Sequence, residues 1–135
     1  AHHIIMYFGN IIAAASISIM PNTQRLAAIV GAGPGNGAAF ARKFLAEGYK
    51  VALLSRKLDA MTDLAATMGS TELAKGYACD VTQDEDVNTA MASIQKDFGV
   101  PITTVIYNAG SGGFKPMEQW TPAEVTNAAN INAAG

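Results

Sequence analysis

From Leu26 onward, short runs of consecutive apolar residues alternate with stretches whose apolar positions recur at helical spacing. Leu26 to Val30 is the first run and predicts a strand. Phe40, Ala41, Phe44 and Leu45 then fall on one side of a helix, with Arg42, Lys43 and Glu47 on the other and Gly48 closing it. Val51 to Leu54 predicts a second, buried strand. Leu58, Met61, Leu64, Ala65 and Met68 form the stripe of a second helix that Gly69 stops, and Gly76 to Cys79 is a short third strand ending at Asp80. Thr82-Gln83-Asp84-Glu85 has the spacing of a capping box, with Val87, Met91, Ile94 and Phe98 as the buried face of the helix it opens and Gly99 and Pro101 as its end. Ile102 to Tyr107, rich in β-branched residues, predicts a fourth strand. Thr121-Pro122-Ala123-Glu124 reads as another helix start, with Thr as cap, Pro at the first helical position and Glu reaching back.

Strict alternation of strands and helices implies parallel strands joined by right-handed crossovers, hence a doubly wound parallel α/β sheet with helices on both faces. In such sheets ligands sit at the carboxyl ends of the strands, where the sheet order reverses. The segments that fall there are a glycine-rich turn after the first strand, Ser55-Arg56 after the second, Asp80 after the third and Asn108-Ala109-Gly110 after the fourth.

Residues before Leu26 read differently. Ile4 to Met20 carries no charge, as a signal-peptide core or short membrane anchor would, but no Lys or Arg precedes Arg25 and Gly9 and Asn10 interrupt the apolar run. Residues 1–19 are therefore expected to be an extension or vector-encoded sequence upstream of a native start at Met20, with a targeting segment as the alternative. His2 and His3 read as tag remnants. Residues 20–135 are expected to be one incomplete domain of the doubly wound type.

Composition narrows the function without naming it. Half of the 135 residues are hydrophobic and 15% are charged, which suits a globular domain with a buried core. A net charge of −2 with nine scattered basic residues gives no footprint for nucleic acid, and no basic amphipathic helix suggests a membrane surface. The single cysteine, Cys79, permits neither an internal disulfide nor a cysteine metal cluster. It is expected to be a buried thiol in a reducing cytoplasm. No metal site is expected.

The chemistry begins at Gly31-Ala32-Gly33-Pro34-Gly35-Asn36-Gly37. Missing Cβ atoms there let the backbone approach a ligand, and the helix that follows aims free N–H groups and its positive dipole end at the same place, so an anionic ligand is expected. Asn36 breaks a Gly-x-Gly-x-x-Gly pattern, whereas Gly31, Gly35 and Gly37 complete Gly-x-x-x-Gly-x-Gly. With this loop and the strand before it, the chain resembles the short-chain dehydrogenase/reductase family, from Arg25 to Gly135. The resemblance implies a Rossmann-like cofactor domain. In an NAD-type site an acidic residue at the end of the second strand would hold the adenine ribose hydroxyls. Ser55, followed by Arg56 and Lys57, stands there instead; a hydroxyl and a guanidinium suit a 2′-phosphate, so NADPH is expected over NADH.

The resemblance further implies that Asp80 and Val81 border the adenine pocket and that Tyr107, Asn108, Ala109 and Gly110 match the family's Asn-Asn-Ala-Gly beside the cofactor. It puts Asn132, in Asn130-Ile131-Asn132, at the tetrad asparagine that organises a proton-relay water. Two positions depart from the family: Val30 stands for the usual threonine and Tyr107 for the first asparagine. The polar tie between the first and fourth strands is accordingly expected to be replaced by apolar packing. Phe114 and Trp120 are expected to pack beneath their loop, with an apolar substrate wall as the alternative.

The family's serine and its Tyr-x-x-x-Lys follow the helix of Asn132, beyond Gly135. The resemblance thus implies the cofactor half of an oxidoreductase that moves a hydride between NADPH and a carbonyl or alcohol, homo-oligomeric in its full-length form and inactive as this half alone. A catalytically silent NADPH-binding or interaction module and an inactive truncated product are the alternatives. Without a fifth strand, the edge formed by Ile102 to Tyr107 is expected to be unpaired.

Overall fold

A computed structural model describes residues 25–134 and the backbone of 6–8 and 11–13. Met6–Phe8 and Ile11–Ala13 pair as a short antiparallel ribbon. The expected start at Met20, the tag-like His2 and His3 and the rest of the proposed extension lie outside the described residues.

The expected alternation is realised. Strands β1 (Leu26–Val30), β2 (Lys50–Ser55), β3 (Ala74–Ala78) and β4 (Ile102–Tyr107) form one sheet in the order β3-β2-β1-β4. Every neighbouring pair is parallel. The connections are α1 (Asn36–Ala46), α2 (Leu58–Ala66) and α3 (Asp84–Phe98), and α4 (Pro122–Ala129) follows β4. The chain runs outward from β1 to β3 and then crosses back to place β4 on the other side of β1, so the order reverses between β1 and β4.

All of β1 and Val51 to Leu54 of β2 are buried, because the sheet carries apolar layers on both faces. Ile29, Val51 and Leu53 pack with Ala41 of α1 and Met61 and Ala65 of α2. Leu26, Ala28, Val30, Ala52 and Leu54 pack on the opposite face with Tyr77 of β3 and Ala90, Ile94 and Phe98 of α3. The helical stripes read from the sequence are narrower than expected: Phe40 of α1 and Leu58 of α2 are exposed, and Ala41, Met61 and Ala65 make the buried contacts. Among the described residues strand β4 pairs with β1 alone, and Val105 on it is 55% exposed. This is the uncovered edge that the sequence predicted.

One expected helix start is displaced. The first helical residue of α3 is Asp84, its N-cap is the extended Gln83, and no side chain caps it. Thr82 lies one residue before that N-cap and is turned toward Asp80, its hydroxyl donating to Oδ1 at 2.7 Å. Thr121 does form the expected box with Glu124 at the start of α4.

Candidate functional site

The turn after β1 is clamped from both sides. The N–H groups of Gly31 and Ala32 both donate to the Leu54 carbonyl of β2, each at 2.9 Å. Asn108 closes the other side: its N–H donates to the Val30 carbonyl at 2.8 Å and its Nδ2 to the Gly31 carbonyl at 2.9 Å. Gly31 is required by this closure, since its φ is +76° and a Cβ there would sit 2.3 Å from the Ala109 backbone. The expected loss of a polar tie between β1 and β4 is thus corrected. Val30 is indeed buried among apolar side chains, but Asn108 keeps the strands joined by polar contacts. Tyr107 is turned elsewhere, half-exposed, with its hydroxyl donating to the Ile131 carbonyl.

The rest of the glycine turn is open. A Cβ on Gly33 or Gly35 would meet nothing within 4 Å, so internal packing does not demand glycine at either position. Gly37 differs, because a Cβ there would lie 2.7 Å from the Ala32 backbone; its absence lets α1 close onto the turn. Helix α1 begins at Asn36 behind Gly35 with no side-chain cap and no acidic residue in its first turn. The Ala38 N–H of the first turn donates to the Gly33 carbonyl at 2.9 Å, so the N–H groups of Asn36 and Gly37 and the positive dipole end are what is left for an anion.

Two further strand ends supply charge. Ser55 ends β2, and its Oγ accepts from the Lys57 N–H at 3.3 Å; Arg56 beside it is exposed. Past β3, Asp80 Oδ1 accepts from both the N–H (3.0 Å) and the hydroxyl (2.7 Å) of Thr82. These bonds hold the Asp80 carboxyl below the usual range, and the Arg56 guanidinium adds to the effect. The Asp80 N–H donates to Asp86 Oδ2 at 3.3 Å. Cys79 is buried as expected, and burial, followed by the charges of Asp86 and Asp80, pushes its thiol pKa up.

The loop after β4 is held from α4. Beyond Ala129 the helix widens into a π-helical turn, Asn130–Ala134. There Asn132 grips the backbone of Ser111 at two points: the Ser111 N–H donates to Oδ1 at 2.8 Å, and Nδ2 donates to the Ser111 carbonyl at 2.7 Å. Trp120 packs on the loop as expected, its Nε1–H donating to the Lys115 carbonyl while the Lys115 ammonium lies 5.0 Å from the ring centre. Phe114 does not pack beneath it. Its side chain is fully exposed.

These parts converge on a cleft of about 280 Å³ at the carboxyl edge of the sheet, at the point where the strand order reverses. Of the residues singled out from sequence, Gly31, Ser55, Arg56, Asp80, Val81, Asn108, Ala109 and Gly110 line it. Gly33, Gly35, Asn36 and Gly37 do not line it and belong to the turn and first helical residues that follow Ala32, while Asn132 acts from behind Ser111. The sequence reading missed Ala32, Cys79, Ser111, Asn127 and Ile131 as lining residues. Ala32 and Ser111 adjoin predicted positions in the chain. Asn127 and Ile131 are four residues apart, a spacing that puts both on one side of a helix, and that was the available signal. Among the described residues no group of three or more His, Cys, Asp or Glu is placed to hold a metal ion, and no helix is long and apolar enough to cross a membrane.

Comparison with known proteins decides the family, because the short chain dehydrogenase profile matches residues 25–135. The chain belongs to the short-chain dehydrogenase family. It is 36% identical over 111 residues to a 2-(S)-hydroxypropyl-CoM dehydrogenase of Xanthobacter autotrophicus, covering 80% of this chain and 42% of that protein. It is 30% identical to an NADP-dependent (R)-specific alcohol dehydrogenase of Lentilactobacillus kefiri, covering 82% of this chain and 44% of the relative. Among solved structures, a 3-ketoacyl-(acyl-carrier-protein) reductase of Brucella melitensis, complexed with NADH, superposes with a TM-score of 0.74 at 28% identity, over 81% of this chain and 44% of that one. This short-chain dehydrogenase sequence thus spans less than half the length of the relatives it matches.

Proposed function

We propose that the chain is the cofactor-binding part of an NADPH-dependent oxidoreductase that moves a hydride between NADPH and a small carbonyl or alcohol substrate. The observation that carries the reading is the end of β2, where Ser55 and the exposed Arg56 line the same cleft as Gly31 and Ala32 at the start of the glycine turn. A carboxylate there would repel a 2′-phosphate; a hydroxyl and a guanidinium bind one. The other residues suit the remainder of a dinucleotide. Gly33, Gly35, Asn36, Gly37 and the uncapped start of α1 receive the pyrophosphate, Asp80 and Val81 border the base, and Asn108, Ala109 and Gly110 form the floor toward the nicotinamide. Relatives support the nicotinamide class of cofactor, one being NADP-dependent by name and one solved with NADH.

When bound, NADPH supplies the hydride. This chain's residues bind and orient it: Asn108 fixes the turn through the Gly31 carbonyl, and Asn132 fixes the Ser111 backbone on the opposite wall. Asn132 is the catalytic-tetrad asparagine in this reading, acting as a positioning residue whose π-helical turn serves the proton relay. The serine that polarises the carbonyl, the tyrosine that moves the proton and the lysine that lowers the tyrosine pKa belong to the remainder of the protein. The full-length form is a homo-oligomer in the cytoplasm, a reducing compartment that suits the free thiol of Cys79.

The test is NADPH oxidation by the full-length protein against a panel of ketones and aldehydes. Turnover that falls at least tenfold in Asn132→Ala, with NADPH affinity held within about threefold, supports the reading. Saturable NADPH binding without turnover on any carbonyl would instead make the protein a binding module.

A further inference from the structure

The loop after β4 is pinned at two places, and one large side chain stands between them. Ser111, which lines the cleft, is held through its backbone N–H and carbonyl by Asn132. Lys115 is held by Glu124, 2.6 Å from its ammonium, and by the Trp120 indole N–H on its carbonyl. Only Gly112, Gly113 and Phe114 lie between these anchors. A Cβ on Gly112 would meet nothing within 4 Å, and one on Gly113 would make ordinary contact with the Trp120 ring at 3.7 Å, so packing demands glycine at neither position. The two glycines widen the conformations open to this short tether. Phe114 carries its one side chain, and that ring is fully exposed. Three residues span at most about 10 Å of chain, so the ring is confined to the surroundings of Ser111 and reaches the mouth of the cleft there.

Resting on the carbonyl-reduction reading above, we infer that Phe114 is a substrate-specificity residue that swings on Gly112 and Gly113 over the mouth of the cleft and closes on a substrate bearing an alkyl or aryl group. A phenyl ring left wholly in water is stabilised most by covering apolar surface, and an apolar substituent beneath it is stabilised equally. Ile131 lines the cleft from the turn after α4 and offers the same substituent a second apolar contact. Ser111 stays in place during the swing, because Asn132 holds its backbone at both points. The ring therefore closes without moving the cleft's wall, as glycine-hinged loops do in other enzymes.

The test is kcat/KM of the full-length protein with NADPH for acetone, 2-octanone and acetophenone, in the parent and in Phe114→Ala and Phe114→Leu. A second readout is calorimetric titration of the NADP+ complex with the same ketones, a pairing that cannot react. The parent is expected to prefer the two larger ketones by both measures. Phe114→Ala is expected to cut that preference about tenfold, the worth of burying an aromatic side chain against an apolar group, and Phe114→Leu to keep more of it for 2-octanone than for acetophenone. NADPH affinity is expected to stay within twofold, since Phe114 stands outside the lining of the cleft. Turnover with an unchanged preference in Phe114→Ala overturns the role of Phe114 and leaves the reductase reading standing. An unchanged preference with melting lowered by several degrees also overturns it, and assigns the ring to packing against protein. Absence of turnover on any carbonyl by the parent overturns the reductase reading and this inference together.

Discussion

Gly31 and Gly33 are two residues apart and answer to different demands. Gly31 is dictated by the protein itself, through its positive φ and the 2.3 Å that would separate a Cβ from the Ala109 backbone. A Gly31→Ala variant is expected to lose at least about 2–3 kcal/mol, or to fail to accumulate folded, as measured by denaturant unfolding of the full-length protein. Gly33 has open space where a Cβ would go, so Gly33→Ala is expected to melt within a few degrees of the parent while binding NADPH about tenfold more weakly. Equal destabilisation by the two would contradict the distinction. The sequence showed a glycine pattern and could not show this division, which depends on what the fourth strand's loop places against the first turn. Asn132 was visible only through the family resemblance, and Asn127 only through its helical spacing from Ile131: each reads as a surface asparagine until a helix is packed beside a cleft.

At the scale of elements, two identical spacings met different fates. Thr82 to Glu85 and Thr121 to Glu124 both have the capping-box pattern, and only the second forms one. Thr82 is turned toward Asp80 and leaves the N-cap to Gln83, whereas Thr121 is itself the N-cap, followed by the rigid Pro122. Thr121→Ala is therefore expected to cost about 1 kcal/mol of stability. Thr82→Ala is expected to leave α3 intact and to raise the Asp80 pKa, readable by carboxyl NMR titration. Helix positions and spacings were thus legible in the sequence, while competition between neighbouring polar groups was not. Glu124 adds a pH dependence of known sign. Its hydrogen bonds to Lys115 and Thr121 lower its pKa from 4.5 to about 2. A lowered folded-state pKa contributes stability above the unfolded value and loses it as pH falls through the folded one. The α4 cap is expected to weaken between about pH 4.5 and 2, and Glu124→Gln to flatten the stability profile in that window. An unchanged acid limb in Glu124→Gln would count against the assignment.

Across the whole molecule, the apolar runs and their alternation with helical stripes were enough to predict a doubly wound parallel sheet. Burial on both faces of β1 and β2 bears this out, because only a strand covered from two sides tolerates continuous apolar sequence. The meeting of four strand ends at one edge also followed from topology, since parallel strands carry all their carboxyl ends to the same side. What topology left open was the cleft's far wall. It is built from α4 and the turn after it, and that turn is tied to β4 and its loop through the Tyr107 and Asn132 contacts. The central claim is that this edge receives a 2′-phosphorylated dinucleotide through Arg56. Calorimetric titration of the full-length protein with NADPH and NADH, repeated in Arg56→Ala, tests it most directly. The account predicts NADPH binding at least about tenfold tighter than NADH, with most of that difference lost in Arg56→Ala. Equal or tighter binding of NADH, unchanged by Arg56→Ala, would contradict it.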